Sequence, residues 1–487
     1  MDEEQPISAP EELMLRGGTV IDGTGAPRFE ADVRVLNGRI VEVGKNLPGR
    51  GAFVIDATGR IVAPGFIDVH THDDQMVLES PEMLPKISQG VTTVVVGNCG
   101  ISLAPLVRAN VPPPLNLLGG SSSYVFGTMR AYAHAVDEAR PTTNVAALVG
   151  HSTLRVATME DPYRPASGAE QARMVELARE AMDAGATGLS TGVFYATGAA
   201  ADIAEVVLLA RVAAEAGGVY STHIRDEAQQ VIESLDEAFT AASQAGIPVI
   251  ISHHKCSGPA NWGRSVETLA HISAARRRQP VGLDAYPYIA GSTVLRPEAV
   301  DNVIEIMVTW SDPHPEMSGR MLADIARDWQ CTQKDACDRL QPAGASYFQM
   351  REDDVQRVLA FEATMIGSDG LPHDRHPHPR LWGTFPRVLG HYARDLGLFP
   401  LEEAVHRMTG LSARQFNLHA RGEIAVGNVA DLVLFDPERV IDRATFAEPM
   451  VLSDGIDAVI VAGTVTYRER KLTGNRAGRF LRRERRA

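Results

Sequence analysis

The stretch NVAALVGHSTLRVATMEDPYRPASGAEQARMVELAREAMDAGATGLSTGV, residues 144–193, reads as a strand, a helix and a second strand. The runs 144–151 and 186–193 are short and strand-like, the first apolar up to His151 and the second small and β-branched. Residues 169–184 repeat their apolar positions at helical spacing and are followed by Gly185, where a helix C-terminus favours a left-handed residue. Strand, crossover helix and strand together form the repeating unit of a parallel sheet. The alternation continues in both directions, with strand-like runs at 61–72, 91–99, 218–225, 248–255, 281–288 and 364–369. Helical segments 201–216 and 228–245 also precede glycines, and 401–418 supplies an eighth helix. Eight repeats predict an α/β protein with a closed (β/α)8 TIM-like barrel over residues 61–420.

The flanks have a different pattern. Residues 13–56 and 422–473 alternate apolar and polar side chains between glycine turns, as antiparallel strands do. Both chain ends, 1–60 and 421–487, are therefore expected to pair into one small β domain. Residues 291–363 are too many for a loop and carry helical periodicity at 319–329, so they are taken as a module inserted between strands seven and eight. The final RFLRRERRA, 479–487, reads as a solvated charge run.

A chain of 487 residues with 44% hydrophobic and 22% charged residues has ample material for a core. Its formal net charge of -14 argues against nucleic acid or an anionic membrane as partner, because those surfaces select clustered Lys and Arg. No run of about 18 apolar residues occurs, and the acidic start lacks a basic-then-apolar leader pattern. Cys99, Cys256, Cys331 and Cys337 are too sparse for a disulfide framework. A cytoplasmic protein is expected, with a monomer favoured.

In a (β/α)8 barrel the chemistry lies at the C-terminal ends of the strands. Here the run ends supply His70 and His72, Cys99, His223, His253 and Asp369. Each alone is unremarkable, since a buried cysteine is usually a small hydrophobe and a strand-end aspartate a turn former. Six N, S and O donors from five of the eight strand ends are a different matter: imidazole with thiolate suits zinc, and a carboxylate can complete an open catalytic site. Strand alternation puts His253 and Lys255 on one side and His254 on the other, so if His253 faces the mouth Lys255 does too and His254 faces the helix layer.

The segments PGFIDVHTHDD (64–74), PKISQGVTTVVVGNCGISLAPL (85–106), THIRDE (222–227), ISHHK (251–255), LDAYPYIAGST (283–293) and TMIGSDGLPHDRHPHPRLWGTFPRVLG (364–390) resemble the amidohydrolase superfamily, and within it the N-acyl-D-amino-acid deacylases. The resemblance implies a tight zinc site of Cys99, His223 and His253, and a weaker second site of His70, His72 and Asp369 sharing Cys99. It further implies that Lys255, Tyr286, Ser292 and Arg380 bind the substrate carboxylate. Many binuclear relatives bridge their metals through a strand-four lysine, but this chain has no lysine between Lys86 and Lys255. A thiolate from strand two is a reasonable replacement.

Activated water then attacks an amide carbonyl, and Asp369, beside the metal, is the expected proton carrier. The expected substrate is a small N-acyl-D-amino acid with a neutral side chain, since no extra cation stands out in the inserted module or the loops after strands seven and eight. An N-acyl-D-glutamate or D-aspartate deacylase is the alternative, as is a cyclic amidase of the hydantoinase or dihydropyrimidinase type, which would be expected to need the missing lysine. A nucleobase deaminase would leave Cys99 and Lys255 without a role, and a non-catalytic metal barrel would not need Asp369.

Overall fold

The computed structural model describes residues 12–120 and 122–484. Eight parallel strands form the central sheet: β1 (Phe66–Asp68), β2 (Val91–Val96), β3 (Asn144–Gly150), β4 (Gly188–Gly192), β5 (Val219–His223), β6 (Val249–Ile251), β7 (Val281–Ala285) and β8 (Thr364–Ile366). Neighbours follow chain order from β1 to β8. The ring closes just beyond the strand ends, where Thr71 bridges Gly370, the Asp369 N–H donates to the His70 carbonyl at 2.7 Å and the His72 N–H donates to the Gly370 carbonyl at 3.0 Å. The seam of the barrel is thus made from the backbone of three candidate ligands.

Every residue of these strands is buried, which explains their continuous apolar runs. The outer layer is built from well-terminated helices. Gly168–Asp183 begins with a capping box between Ser167 and Glu170, Asp202 caps Ile203–Glu215, and Val231–Ala245 ends at Gly246 with φ +70°.

Two predicted elements are divided. The run 61–72 is two strands, because Ile61–Pro64 pairs antiparallel with Leu432–Phe435 in a second sheet before β1 begins. The break falls at Gly65, where a Cβ would lie 2.2 Å from the Thr92 side chain. The eighth helix is likewise split into Leu401–Met408 and Gly410–Gln415, with a Gly410 Cβ position 2.2 Å from the Gly23 carbonyl. In both places close backbone approach overrides periodicity.

The second sheet takes strands from both chain ends. Glu12–Val20, Phe29–Leu36 and Arg39–Gly44 lie on one side of Ile61–Pro64, and Leu432–Phe435, Ile456–Val461 and Thr464–Arg468 on the other. Leu13, Val33, Val62, Leu432 and Ile460 belong to its separate core. Between β7 and β8, Gly291–Val294, Ile306–Ser311 and Ala343–Tyr347 form a three-stranded antiparallel sheet. Helices Leu322–Asp328 and Gln333–Leu340 pack on it around Val308, Ile325 and Leu340.

The C-terminal charge run is not fully solvated. Phe480 is buried, the Val145 N–H donates to the Arg479 carbonyl at 2.9 Å, and the Leu481 N–H donates to the Val145 carbonyl at 2.7 Å. One aromatic anchor is enough to dock 479–484 beside the start of β3; residues 485–487 lie outside the described residues.

Candidate metal centre

The six candidate ligands meet at the C-terminal mouth of the barrel. His223 is the last residue of β5, whereas Cys99, His253 and Asp369 follow β2, β6 and β8 by two or three residues. These three share a left-handed backbone, with φ of +53°, +35° and +50°. For residues with a Cβ this conformation costs on the order of 1–3 kcal/mol and persists only where the surroundings enforce it. The chain has therefore left strand geometry before His253, and tertiary contacts rather than alternation set the side-chain directions. His253 still enters the mouth, and His254 Nε2 pairs with Thr268 Oγ1 at 2.8 Å in the helix layer.

Cys99 Sγ lies 3.2 Å from His70 Nε2 and 3.3 Å from His253 Nε2. Asp369 Oδ1 lies 3.2 Å from His72 Nε2 and 3.5 Å from His70 Nε2. Two overlapping donor groups result, His70–His72–Cys99–Asp369 and Cys99–His223–His253, each with its donor atoms within 4.8 Å of one another. Zinc bonds of ~2.0–2.3 Å give a tetrahedron with edges of roughly 3.3–3.7 Å, close to these separations. Both ring nitrogens of buried His223 and Nδ1 of His72 lack a hydrogen-bond partner among the described residues. Such orphaned donors, together with a mixed N, S and O set, fit a zinc site.

The electrostatics favour the ligating forms of the acids. Burial opposes ionisation of Cys99, but the imidazoles of His70 and His253 overcome it and hold the thiol well below its ordinary range. Burial likewise opposes charge on Asp369, and Arg380 and His72 bring its carboxyl well below the usual range. His72 is lowered by burial but raised more by Asp369 and Cys99, to about 9.

Carboxylates that the sequence reading passed over hold the ligands in place. Asp284 in β7 lies 3.2 Å from His70 Nδ1 and accepts the His253 N–H at 2.9 Å. Glu227 lies 3.1 Å from His253 Nδ1 and accepts from Lys255 Nζ at 2.6 Å. Buried Lys86 donates to Asp68 at 2.7 Å, Ser368 at 2.7 Å and Thr71 at 3.0 Å, so it braces the closing seam instead of the metal. A metal-bound imidazole needs an acceptor on its other nitrogen, and that requirement is the signal that points to Asp284 and Glu227. The pentapeptide GLSTG, 188–192, has the spacing of a serine-hydrolase elbow. It lies within β4, where Ser190 donates to the Gly97 carbonyl and accepts the Gly100 N–H, so no strand-to-helix elbow presents that hydroxyl.

Above the ligands is a cavity of about 880 Å³, whose wall includes Phe194, Lys255, Tyr286, Ser292, Arg296 and Tyr347. Arg380 is not part of that wall. Its fully buried guanidinium lies 2.9 Å from Asp369 Oδ2, donates to the Ser292 carbonyl at 3.1 Å and covers the Tyr286 ring at 4.5 Å. The expectation of no extra cation is corrected by Arg296, which follows strand Gly291–Val294 and is carried over the cavity by the inserted sheet. Its guanidinium stacks on Phe194 at 4.5 Å, and Phe194 in turn stacks on His223 at 4.5 Å.

Among the described residues, no helix is long and apolar enough to cross a membrane. A family model described as "Amidohydrolase family" matches residues 54–307 and 330–467. The chain is 52% identical over 477 residues to a D-aminoacylase of Alcaligenes xylosoxydans xylosoxydans, covering 98% of this chain and 99% of that one. It superposes on a D-aminoacylase crystal structure with a TM-score of 0.95 at 53% identity, covering 97% and 99% of the two chains. For an N-acyl-D-glutamate deacylase from Bordetella bronchiseptica, solved with zinc and a phosphonate inhibitor, the TM-score is 0.93 at 49% identity, covering 96% and 99%. With a closed eight-strand barrel, a His/Cys/Asp cluster at its mouth and these full-length similarities, the chain belongs to the amidohydrolase family.

Proposed function

We propose that this protein is a zinc-dependent N-acyl-D-amino-acid deacylase, cleaving the amide of an N-acyl-D-amino acid into a carboxylate and the D-amino acid, with a broad preference for neutral side chains. The carrying observation is the pair of donor groups sharing Cys99 beneath a cavity walled by Lys255, Tyr286 and Ser292. Cys99, His223 and His253 hold the tight zinc; His70, His72 and Asp369, with Cys99, form the weaker site. When bound, zinc supplies Lewis acidity that lowers the pKa of a water and polarises an acyl oxygen. Asp369, kept ionised by Arg380, takes the proton of the attacking water and returns it to the amine nitrogen as the C–N bond breaks and the C–O bond forms. Lys255, Tyr286 and Ser292 receive the substrate carboxylate, and Arg380 supports that group from behind Asp369 and Ser292. Glu227 and Asp284 fix the imidazoles.

The neutral preference rests on the aromatic character of the wall formed by Phe194 and Tyr347, and on Arg296 being engaged with that wall and lying 3.8 Å from Glu298. The same Arg296 favours the second reading, an acidic D-side chain. Zinc analysis combined with hydrolysis of N-acetyl-D-methionine, N-acetyl-L-methionine, N-acetyl-D-glutamate and a hydantoin tests both. Zinc-dependent cleavage of the D-methionine derivative, with little on its L-enantiomer or the hydantoin, is expected. Preference for the glutamate derivative selects the second reading, and cleavage of the hydantoin alone refutes both.

A further inference from the structure

At the opposite end of the barrel from the metal ligands, a second cavity of about 850 Å³ opens between the docked strip 479–484, the segment 416–421 and the start of strand Arg39–Gly44. Thr187, just before β4, forms part of its wall, which places it at the N-terminal ends of the strands. Arg39, Arg421 and Arg479 converge there in a chain whose formal net charge is -14.

Their counter-charges do not balance. Arg421 is buried against Asp431, but that carboxylate also accepts the Asn144 amide at 3.1 Å and the Ala462 N–H at 2.7 Å. Arg39 donates to the neutral Gly427 carbonyl at 2.7 Å. Among the described residues, the Arg479 guanidinium has neither an ion pair nor a hydrogen bond. Nearby Arg482 is already paired with Asp137 at 2.7 Å, and Glu484 adds a single exposed carboxylate to the wall. Burial, together with the charges of Arg479 and Arg39, pushes Arg421 down to about 10. With Arg483 on the same wall turned to the Ala186 and Ala216 carbonyls, the Arg39, Arg421 and Arg479 guanidinium groups face the committed Asp431 and the exposed Glu484 across a space large enough for a small molecule. Guanidinium forks match the oxygens of a phosphate in bidentate fashion, and the excess of guanidinium over carboxylate favours an anion. Val429 and Leu481 offer apolar wall for the rest of such a molecule.

We propose that this cavity binds a small phosphorylated molecule, its phosphate held between Arg39 and Arg479 with Arg421 behind. Occupancy would tie the C-terminal strip to the barrel and the small β domain without touching the metal centre.

The test is calorimetric titration of the zinc-loaded full-length protein with inorganic phosphate and with a sugar phosphate, against chloride at matched ionic strength. Saturable binding is expected, weakened at least tenfold in Arg479→Ala and in Arg39→Ala and unchanged in Arg211→Ala, an exposed arginine elsewhere. The Arg479 guanidinium makes no contact that the fold needs, so that variant should melt like the parent in the absence of phosphate. Absence of saturable binding overturns the proposal. Equal binding by parent and both cavity variants also overturns it, because it assigns the phosphate to the metal centre.

Discussion

Replacing Glu227 by Gln isolates the part of the site that supports the ligands from those that bind metal. Glu227 is buried, and its Oε1 lies 2.6 Å from Lys255 Nζ, 3.1 Å from His253 Nδ1 and 3.7 Å from His223 Nε2. Gln preserves the shape and removes the charge. Among the described residues Lys255 pairs with no other carboxylate, and breaking a buried pair from one side costs roughly 3–5 kcal/mol. Because Lys255 borders a solvent-accessible cavity, the lower end, about 3 kcal/mol, is expected as lost stability. Mutating the carboxylate behind a ligating imidazole typically weakens metal affinity ~10–100-fold, or about 1.4–2.7 kcal/mol, and Gln keeps an acceptor oxygen there but not its charge. Zinc affinity is measured by competition with a chromophoric chelator, and stability by urea denaturation of the same preparations. A Glu227→Gln protein that binds zinc as tightly as the parent and unfolds at the same urea concentration would refute the idea that this carboxylate orients His253 and anchors Lys255.

Four other changes probe the remaining assignments. Cys99→Ala should abolish stoichiometric zinc and turnover while leaving the fold intact; metal analysis of the folded variant decides it, and retained zinc removes the shared-thiolate assignment. Asp369→Asn should keep the tight zinc and lose about two to four orders of magnitude in kcat, as loss of a proton carrier does, whereas loss of the zinc would make it a structural ligand. Lys255→Met should cut kcat/KM at least about tenfold for N-acetyl-D-amino acids and much less for their amides, while Arg380→Lys, which also disturbs Asp369, should cut both. Comparing acid and amide substrates separates the two roles, and identical profiles would break that distinction. Burial pushes the Cys256 thiol up to about 11, so at pH 8 it stays protonated and should resist alkylation in the folded protein but react in urea. Rapid alkylation at Cys256, located by mass spectrometry, would contradict its burial.

The strand ends were legible because a barrel exposes its chemistry at positions that sequence period can locate. The His70-Thr-His72 spacing and the polar ends of β5 and β6 therefore stood out. Glu227 and Asp284 did not, because a single buried carboxylate has no sequence period, and its role depends on an imidazole reaching it from another strand. The division at Gly65 was equally hidden, since the apolar run continues through it and only the approach of Thr92 reveals the break. Phe480 stands among arginines in the sequence, yet this one aromatic outweighs them in deciding where the tail lies. Arg296 illustrates the same limit: an arginine in an inserted sheet becomes a cavity residue only when the sheet's packing carries it over the mouth.

The absent strand-four lysine and the presence of Cys99 have a common geometric basis. A Cβ on Gly192, the last residue of β4, would lie 2.1 Å from the Cys99 carbonyl oxygen, and one on Gly100 would lie 2.5 Å from the Gly192 nitrogen. A Cβ on Gly97 would meet the Leu148 carbonyl in β3 at 2.1 Å. The loop after β2 therefore lies directly against the ends of β3 and β4, in contact that only glycines allow. A long side chain from Gly192 would have to displace the backbone that presents the thiol. With that loop seated, the left-handed turn at Cys99 places its sulfur among His70 and His253 and lets one thiolate serve both donor groups. The thiolate shared by the two donor groups thus comes from the neighbouring loop, and the glycines on either side of that contact fix its position as firmly as the left-handed turn at Cys99 does.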